Sequence, residues 1–345
     1  MAAQNRDQAL DAVRALAIVM VLVIHSASAG LLHTPGTANW WGALAWGAAA
    51  RPAVPLFFMC SGALMLCRDI TPKRMLTHNL PRILCAMFAW ALLYRLYGLL
   101  GEGALTLSGL WRACKDTLLF RHEFHFYYLH ILLLLYALLP IVRVFVRGAS
   151  RREVEYALWV WAVTGILLPL LQYFWPFDRI APIATWWKMP MAYASAGYAL
   201  LGHYLRQYGG TVRRGWYAAA LAGGLALTFG GTAVLSLQNG ALAENFLEGM
   251  SPGPMLMAFG WFGLILGRRA RNPLAVKLTG RLARASFCVY LSHILFLYLF
   301  RHFGLTPGAA PTALFIPLVA LLMLGCGWAV WEGLHRVPLV NKYLI

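Results

Sequence analysis

Charge is what this chain has least of. Only 12% of its 345 residues are Asp, Glu, Lys or Arg, against roughly 25% in an ordinary soluble domain, and the acids are the scarcer sign, 12 against 29 Lys and Arg. With 61% hydrophobic residues and a mean hydropathy of +0.64, the composition excludes a soluble globular protein and indicates an integral membrane protein. The six cysteines, Cys60, Cys67, Cys85, Cys114, Cys288 and Cys326, contain no CxxC pair and lie mostly in apolar stretches, so neither a disulfide framework nor a zinc site is indicated. No segment alternates with period two between turn signals, which excludes an outer-membrane barrel and leaves a helical bundle as the spanning architecture. There is no internal repeat and no low-complexity tract, which disfavours the inverted-repeat transporter folds. The net charge of +17 would suggest nucleic acid in a soluble chain; here the basic residues fall in short blocks between apolar segments, where membrane topology accounts for them and no nucleic-acid partner is expected.

What is present is a succession of apolar segments of about twenty residues, the length that crosses a bilayer. Ten can be laid out, near 10–30, 44–67, 79–100, 124–147, 154–175, 186–206, 215–237, 252–268, 285–303 and 311–334. With the N-terminus in the cytoplasm, 21 of the 29 Lys and Arg fall on that side, including Arg6, Lys73, Arg74, Arg82, Arg268, Arg269, Arg271 and Arg284, so the positive-inside rule predicts both termini cytoplasmic. Arg6 and Arg14 ahead of an apolar run, with Ser26-Ala-Ser-Ala-Gly30 after it, resemble a secretory signal; the length of the run favours an uncleaved signal-anchor. No loop exceeds about 25 residues, so residues 1–345 read as one transmembrane domain with no fused extracytoplasmic domain.

The first segment carries the most informative pair. Arg14 and His25 are eleven residues apart, and at about 100° and 1.5 Å per residue they return to within roughly 20° of one direction while separated by about 16 Å along the axis. Ionisable groups inside a bilayer are expensive and turn toward a bundle interior, so this face marks a functional site. Asp11 sits three residues before Arg14, near the cytoplasmic boundary, where it can pair with the guanidinium. The plain alternatives are an imidazole satisfied by a neighbouring carbonyl and an arginine that snorkels to the headgroups.

Three other stretches concentrate polar groups. Arg51-Pro-Ala-Val-Pro55 through Ser61-Gly62 joins an arginine at the outer edge, two prolines and a Ser-Gly pair, which suits a helix start lining a cavity, or equally an interfacial anchor followed by a small-residue packing face. Glu123-Phe-His125-Phe-Tyr127-Tyr128-Leu-His130 opens the fourth segment; the five-residue step from His125 to His130 points them apart and gives no metal site. Ser286, Tyr290 and His293 in the ninth share one face by i, i+4, i+7 spacing.

Taken together, the Arg14-to-His25 spacing, the Val-Pro-Leu-Phe-Phe…Ser61-Gly62 stretch, the Lys73-Arg74…Pro81-Arg82 run and Ser286-Phe-Cys-Val-Tyr290-Leu-Ser-His293 resemble the acyltransferase-3 family of bacterial membrane O-acyltransferases, nearly end to end. The His125-Phe-Tyr-Tyr128 stretch is most similar to the short, single-domain branch of the enterobacterial common antigen O-acetyltransferase type. Two features depart from the family pattern: Ala12-Val13 replaces the usual Gly between Asp11 and Arg14, and the terminal Glu-x-Pro-Phe appears only as Glu332…Val337-Pro338-Leu339.

The resemblance implies an enzyme of the bacterial cytoplasmic membrane that moves an acetyl or other short acyl group from cytoplasmic acyl-CoA, with no metal, to a hydroxyl of a surface or lipid-linked glycan on the far side. In that reading Arg14 grips the anionic donor with Asp11, Ser286, Tyr290 and His293 along the donor path, and His25 is the general base or carries the acyl group. Arg51, Ser61, His125, Tyr127 and Tyr128 are expected on the acceptor side. The competing class is a secondary transporter or lipid flippase using Asp11, Arg14 and His25 as a relay; the near absence of carboxylates from segment centres counts against it.

Overall fold

The computed structural model describes residues 7–267, 272–306 and 310–345, so Arg6, Arg268, Arg269 and Arg271 lie outside the described residues. The described elements are helical, with no strand among them: α1 (Gln8–Ala27), α2 (Ala38–Ala50), α3 (Ala53–Met65), α4 (Pro72–Arg74), α5 (Leu80–Gly101), α6 (Leu107–Leu118), α7 (Tyr127–Gly148), α8 (Arg151–Trp161), α9 (Leu168–Leu171), α10 (Ala181–Trp187), α11 (Met191–Tyr208), α12 (Arg214–Asn239), α13 (Pro252–Leu266), α14 (Pro273–His302), α15 (Thr312–Leu334) and α16 (Pro338–Tyr343). Among the described residues eight helices are long and apolar enough to cross a membrane, and the protein is an all-α polytopic membrane bundle. The predicted segments at 186–206 and 252–268 are helical as α11 and α13 but fall short of that measure, α13 with 15 residues rising only about 22 Å.

α1 sits at the centre because it is apolar on nearly every side. Leu10, Val13, Ala17, Ile18 and Leu22 are each at most 1% exposed, and the helix packs against α2, α3, α14 and α15. Asp7 caps it, accepting from the Leu10 amide. Around this core the large exposed side chains are apolar, among them Ile141, Val144, Trp159, Leu314 and Leu321, as a lipid-facing surface requires.

Small residues set the close helix pairs. A Cβ on Gly62 of α3 would stand 1.8 Å from the Ala199 carbonyl oxygen of α11, and one on Gly202 of α11 would stand 2.1 Å from that of Met59, so these backbones touch only because both positions are glycine. α12 and α13 meet in the same way at Gly224, Gly253 and Gly260.

Two boundaries differ from the sequence reading for local reasons. The second spanning element begins at Ala38, six residues before the expected 44, because Thr37 accepts from the Trp40 amide as its cap, and it is broken at Arg51-Pro52 into two helices of 13 residues each. α14 begins at Pro273, twelve residues before the expected 285, capped by Asn272; its first turns carry Lys277, Arg281 and Arg284, polar residues that an apolarity criterion discards.

The alternation of elements gives the bundle two unlike ends. At the N-terminal end of α1, Arg206 pairs with Asp7 at 3.2 Å and donates to the Ala63 carbonyl, Arg143 bonds the Arg68 carbonyl and the Asp69 carboxylate, and Arg151 meets Glu155 and Tyr204. The opposite end holds the loops after α1, α9 and α12, with the Lys188–Gln172 and Glu123–Tyr298 contacts.

Candidate active site

A cavity of about 430 Å³ opens at the basic end. Its rim is cationic and exposed, with Arg74, His78, Arg82 and Arg284, and its depth is lined by half-buried Arg14, Ser61 and Tyr136 and by buried Tyr128, Ser286 and Tyr290. Arg74 closes the short α4, and a π-helical turn, Met75–Asn79, carries His78 to the rim; such turns commonly mark functional positions. Arg14 reaches Ser286 Oγ at 3.5 Å, a long contact to a neutral hydroxyl that leaves the guanidinium fork available to an anion. Four guanidinium groups line this cavity, of which Arg82 donates to the Ile345 carbonyl at 2.6 Å, and guanidinium groups so gathered have the chemistry to hold a polyanion.

Tyr290 forms the inner wall and connects the cavity to a knot of imidazoles. Its hydroxyl donates to the His125 carbonyl at 2.5 Å, and its ring packs on Tyr128, His125 and His293. The three imidazoles come from three elements: His25 near the end of α1, His125 in the 3₁₀ turn before α7, and His293 on α14. Ring centroids are 4.9 Å apart for His25 and His293, 5.3 Å for His125 and His293, and 6.5 Å for His25 and His125. His293 Nδ1 lies 2.5 Å from the Tyr290 carbonyl oxygen and must donate to it, while His293 Nε2 and both His125 nitrogens are buried without a partner. Orphaned polar atoms cost about 1–3 kcal/mol each, so their concentration here is characteristic of a site that awaits a ligand. Among the described residues no group of three His, Cys, Asp or Glu is placed to hold a metal ion.

Beyond the knot lies Arg51, at the break between α2 and α3, with a buried, unpartnered Nε. It stands within electrostatic reach of His25, Tyr127, Glu244 and Glu248. A second cavity of about 370 Å³ opens at this end, lined by Gln172, Tyr173, Lys188, Glu244, Asn245, Glu248 and Ser251.

The residues singled out from sequence therefore separate by depth. Arg14, Ser286 and Tyr290 line the cavity, and His25, His125, Arg51 and Tyr127 gather beyond it. Ser61 and Tyr128 were expected on the acceptor side but line the basic-end cavity: α3 runs inward from the Arg51 break, so Ser61 lies about 15 Å below it. His293 was expected nearer the donor; seven residues past Ser286 on α14, it rises about 10 Å and meets His25 instead. Asp11 is buried, its Oδ2 3.8 Å from where a Cβ on Gly280 would stand, and does not line the cavity. Glu332 ties α15 to α14 through Arg281 at 2.7 Å. His130 stacks on His122, away from the knot. The sequence reading missed Tyr94, packed on His125, along with Glu244 and Glu248; it counted Arg284 only as a topology signal and used Arg74 and Arg82 for topology and family resemblance but not as site residues.

A family model described as an acyltransferase domain matches residues 7–332, which takes in the imidazole knot and every residue lining the two cavities except Ile345. No curated protein and no solved structure matches the chain. The match covers nearly the whole described bundle, and the chain belongs to the acyltransferase-3 family of membrane acyltransferases.

Proposed function

We propose that this protein transfers an acetyl or other short acyl group from acyl-CoA, entering the arginine-rimmed cavity from the cytoplasm, to a hydroxyl of a surface or lipid-linked glycan presented at the opposite end, in the bacterial cytoplasmic membrane with both termini inside. The observation that carries the reading is the continuity from an anion receptor to buried bases: Tyr290 lines the cavity and touches the imidazole knot. Arg74, Arg82, Arg284 and Arg14 hold the phosphates, and the thioester end extends past Tyr128 and Tyr290 toward His25. His25, partly exposed where His125 and His293 are buried, takes the proton of the acceptor hydroxyl as its oxygen attacks the thioester carbonyl. When the tetrahedral intermediate collapses, the carbon–sulfur bond breaks and the thiolate takes that proton from His25, giving the ester and free thiol with no net change in the protein. Arg51 stabilises the developing oxyanion. The outer cavity receives the saccharide, whose hydroxyls match the carboxylates and amides of Glu244, Glu248, Asn245 and Gln172. The short, common-antigen-like branch fits this acceptor class.

The test is purified protein with labelled acetyl-CoA and surface glycan extracts, read by mass spectrometry of the product. Wild-type protein is expected to label the glycan, and His25→Ala to lose at least about 100-fold in rate while keeping coenzyme A binding. Undiminished transfer by His25→Ala would overturn the base assignment. Labelling of a lipid or protein instead would overturn the acceptor class.

A further inference from the structure

We propose that His293 is the positioning residue for His25: its Nε2 accepts the N–H of the His25 ring nitrogen that faces away from the acceptor, which sets the His25 tautomer and stabilises the imidazolium formed during proton transfer. The proposal rests on His25 being the base.

The first step is the tautomer of His293. Its Nδ1 lies 2.5 Å from the Tyr290 carbonyl oxygen, which can only accept, so Nδ1 carries the proton and Nε2 of the neutral ring is a bare acceptor. That acceptor belongs to a fully buried side chain, 0% exposed, and has no partner. A ring N–H donated to a main-chain carbonyl fixes an imidazole's tautomer and orientation, and leaves the other nitrogen as the acceptor.

The second step is which donor it serves. Each imidazole nitrogen stands about 1.1 Å from its ring centre, so facing nitrogens approach to the centroid separation less about 2.2 Å, and a hydrogen bond needs about 2.7–3.2 Å. For His25 and His293, 4.9 Å apart, this leaves about 2.7 Å once the rings turn these nitrogens toward each other; as they stand in the structure the two are in ring contact and Nε2 is unpartnered, so the bond needs a side-chain rotation only. For His25 and His125, 6.5 Å apart, it leaves about 4.3 Å, too far. His293 is thus the only member of the knot that can hold His25 without a main-chain shift. His125, at 5.3 Å from His293, is the competing donor, left at about 3.1 Å by the same measure, and His25 approaches closer. The remaining groups facing His25 are Phe124, which has no polar atom to offer, and Arg51, which offers no acceptor.

The third step is proton balance. His25 gains the hydroxyl proton on one nitrogen and returns it to the leaving thiolate, while the proton on its other nitrogen stays in the bond to His293 throughout. His293 moves no proton and touches neither substrate. Its contribution resembles that of the buried aspartate in a serine-protease triad, with an imidazole lone pair in place of a carboxylate.

Two substitutions separate this role from a packing role. Asn places an amide nitrogen where His293 Nδ1 stands, preserving the bond to the Tyr290 carbonyl and removing Nε2; Gln places its amide oxygen near Nε2 and loses the other bond. Using full-length protein in detergent with labelled acetyl-CoA and glycan acceptor, His293→Gln is expected to keep kcat within about tenfold of wild type and His293→Asn to lose at least about 100-fold, both with donor KM unchanged. The reverse order, Asn above Gln, shows a residue that only anchors Tyr290 and overturns the proposal. A raised donor KM at constant kcat places His293 in the donor path and overturns it equally. If neither variant folds, Tyr290→Phe, which keeps the carbonyl that anchors His293, and selective ¹⁵N-histidine spectra of wild type decide: one Nε-type acceptor signal coupled to a His25 N–H supports the proposal, and its absence refutes it. Transfer by His25→Ala at the wild-type rate is a different failure, of the base assignment itself.

Discussion

Removing one guanidinium from the cavity should weaken donor binding by an amount set by burial. Arg14 lies at the bottom, half-buried, beside the neutral Ser286 hydroxyl, whereas Arg74, Arg82 and Arg284 stand exposed at the rim. A charge-assisted bond to a phosphate contributes about 1.5–3 kcal/mol where solvent is partly excluded, and exposed pairs contribute nearer 0–1 kcal/mol and are screened by salt. Arg14→Ala is therefore expected to weaken coenzyme A about tenfold to 150-fold, and any single rim substitution less than about fivefold. Linkage turns this into a thermal measurement: ligand at about 100 times its Kd stabilises by about 2.7 kcal/mol, and a 100-fold loss of affinity at the same concentration leaves only about 0.4 kcal/mol. The assay is thermal unfolding of detergent-solubilised protein with and without coenzyme A. Arg301→Ala, exposed near the other end of α14, serves as the charge-matched control and should keep the full shift. An Arg14→Ala protein that retains the wild-type shift, or a control that loses it, refutes the placement of the donor.

Three further outcomes follow from the geometry. Gly62→Ala puts a methyl 1.8 Å from the Ala199 carbonyl and should destabilise by about 1–3 kcal/mol in thermal unfolding, while Gly325→Ala, which meets nothing within 4 Å, should be neutral. His122, in the connection before α7, is held below its ordinary value of 6.5 chiefly by burial, with Arg95 adding to it and the Thr117 carbonyl opposing; its folded pKa is the lower one, so its contribution is complete above about pH 6.5 and declines as pH falls, and His122→Phe should flatten stability between pH 7 and about 5. His125→Leu removes two orphaned nitrogens and should unfold no lower than wild type, and up to about 3 kcal/mol more stably, while transfer activity falls.

Much of the bundle was readable because a membrane leaves a chain few options: ten apolar stretches correspond to ten helices or helix pairs. The errors arose where polarity and helicity part company, at the first turns of α14, where Lys277, Arg281 and Arg284 continue a helix beyond its apolar part. On the site, the shared face of Arg14 and His25 follows from helical arithmetic alone. That His125 and His293 meet His25 could not be read, because it depends on how α1, α7 and α14 are set against one another, and no local pattern encodes such an arrangement. Arg74, Arg82 and Arg284 carried a signal, but one shared with every cation that fixes topology. Only their convergence on a single cavity distinguishes them.

In the proposed mechanism the knot separates the base from the two binding surfaces. A thioester exposed to water hydrolyses, so a transferase gains by keeping its base out of bulk solvent and admitting only the acyl end from one side and a hydroxyl from the other. Here Arg74, Arg82 and Arg284 stand at one mouth and Glu244, Glu248 and Lys188 at the other, while between Arg14 at the cavity bottom and Arg51 the middle is built from tyrosine and imidazole. Carboxylates in that middle would either form permanent pairs with Arg14 and Arg51 or pass protons between the mouths, and their scarcity in the chain keeps both arginines available for anions. Unpartnered buried nitrogens recur in this middle, at His125, His293 and Arg51. Such local destabilisation, inside a bundle whose close helix pairs meet through glycine, fits the preorganised transfer site proposed above.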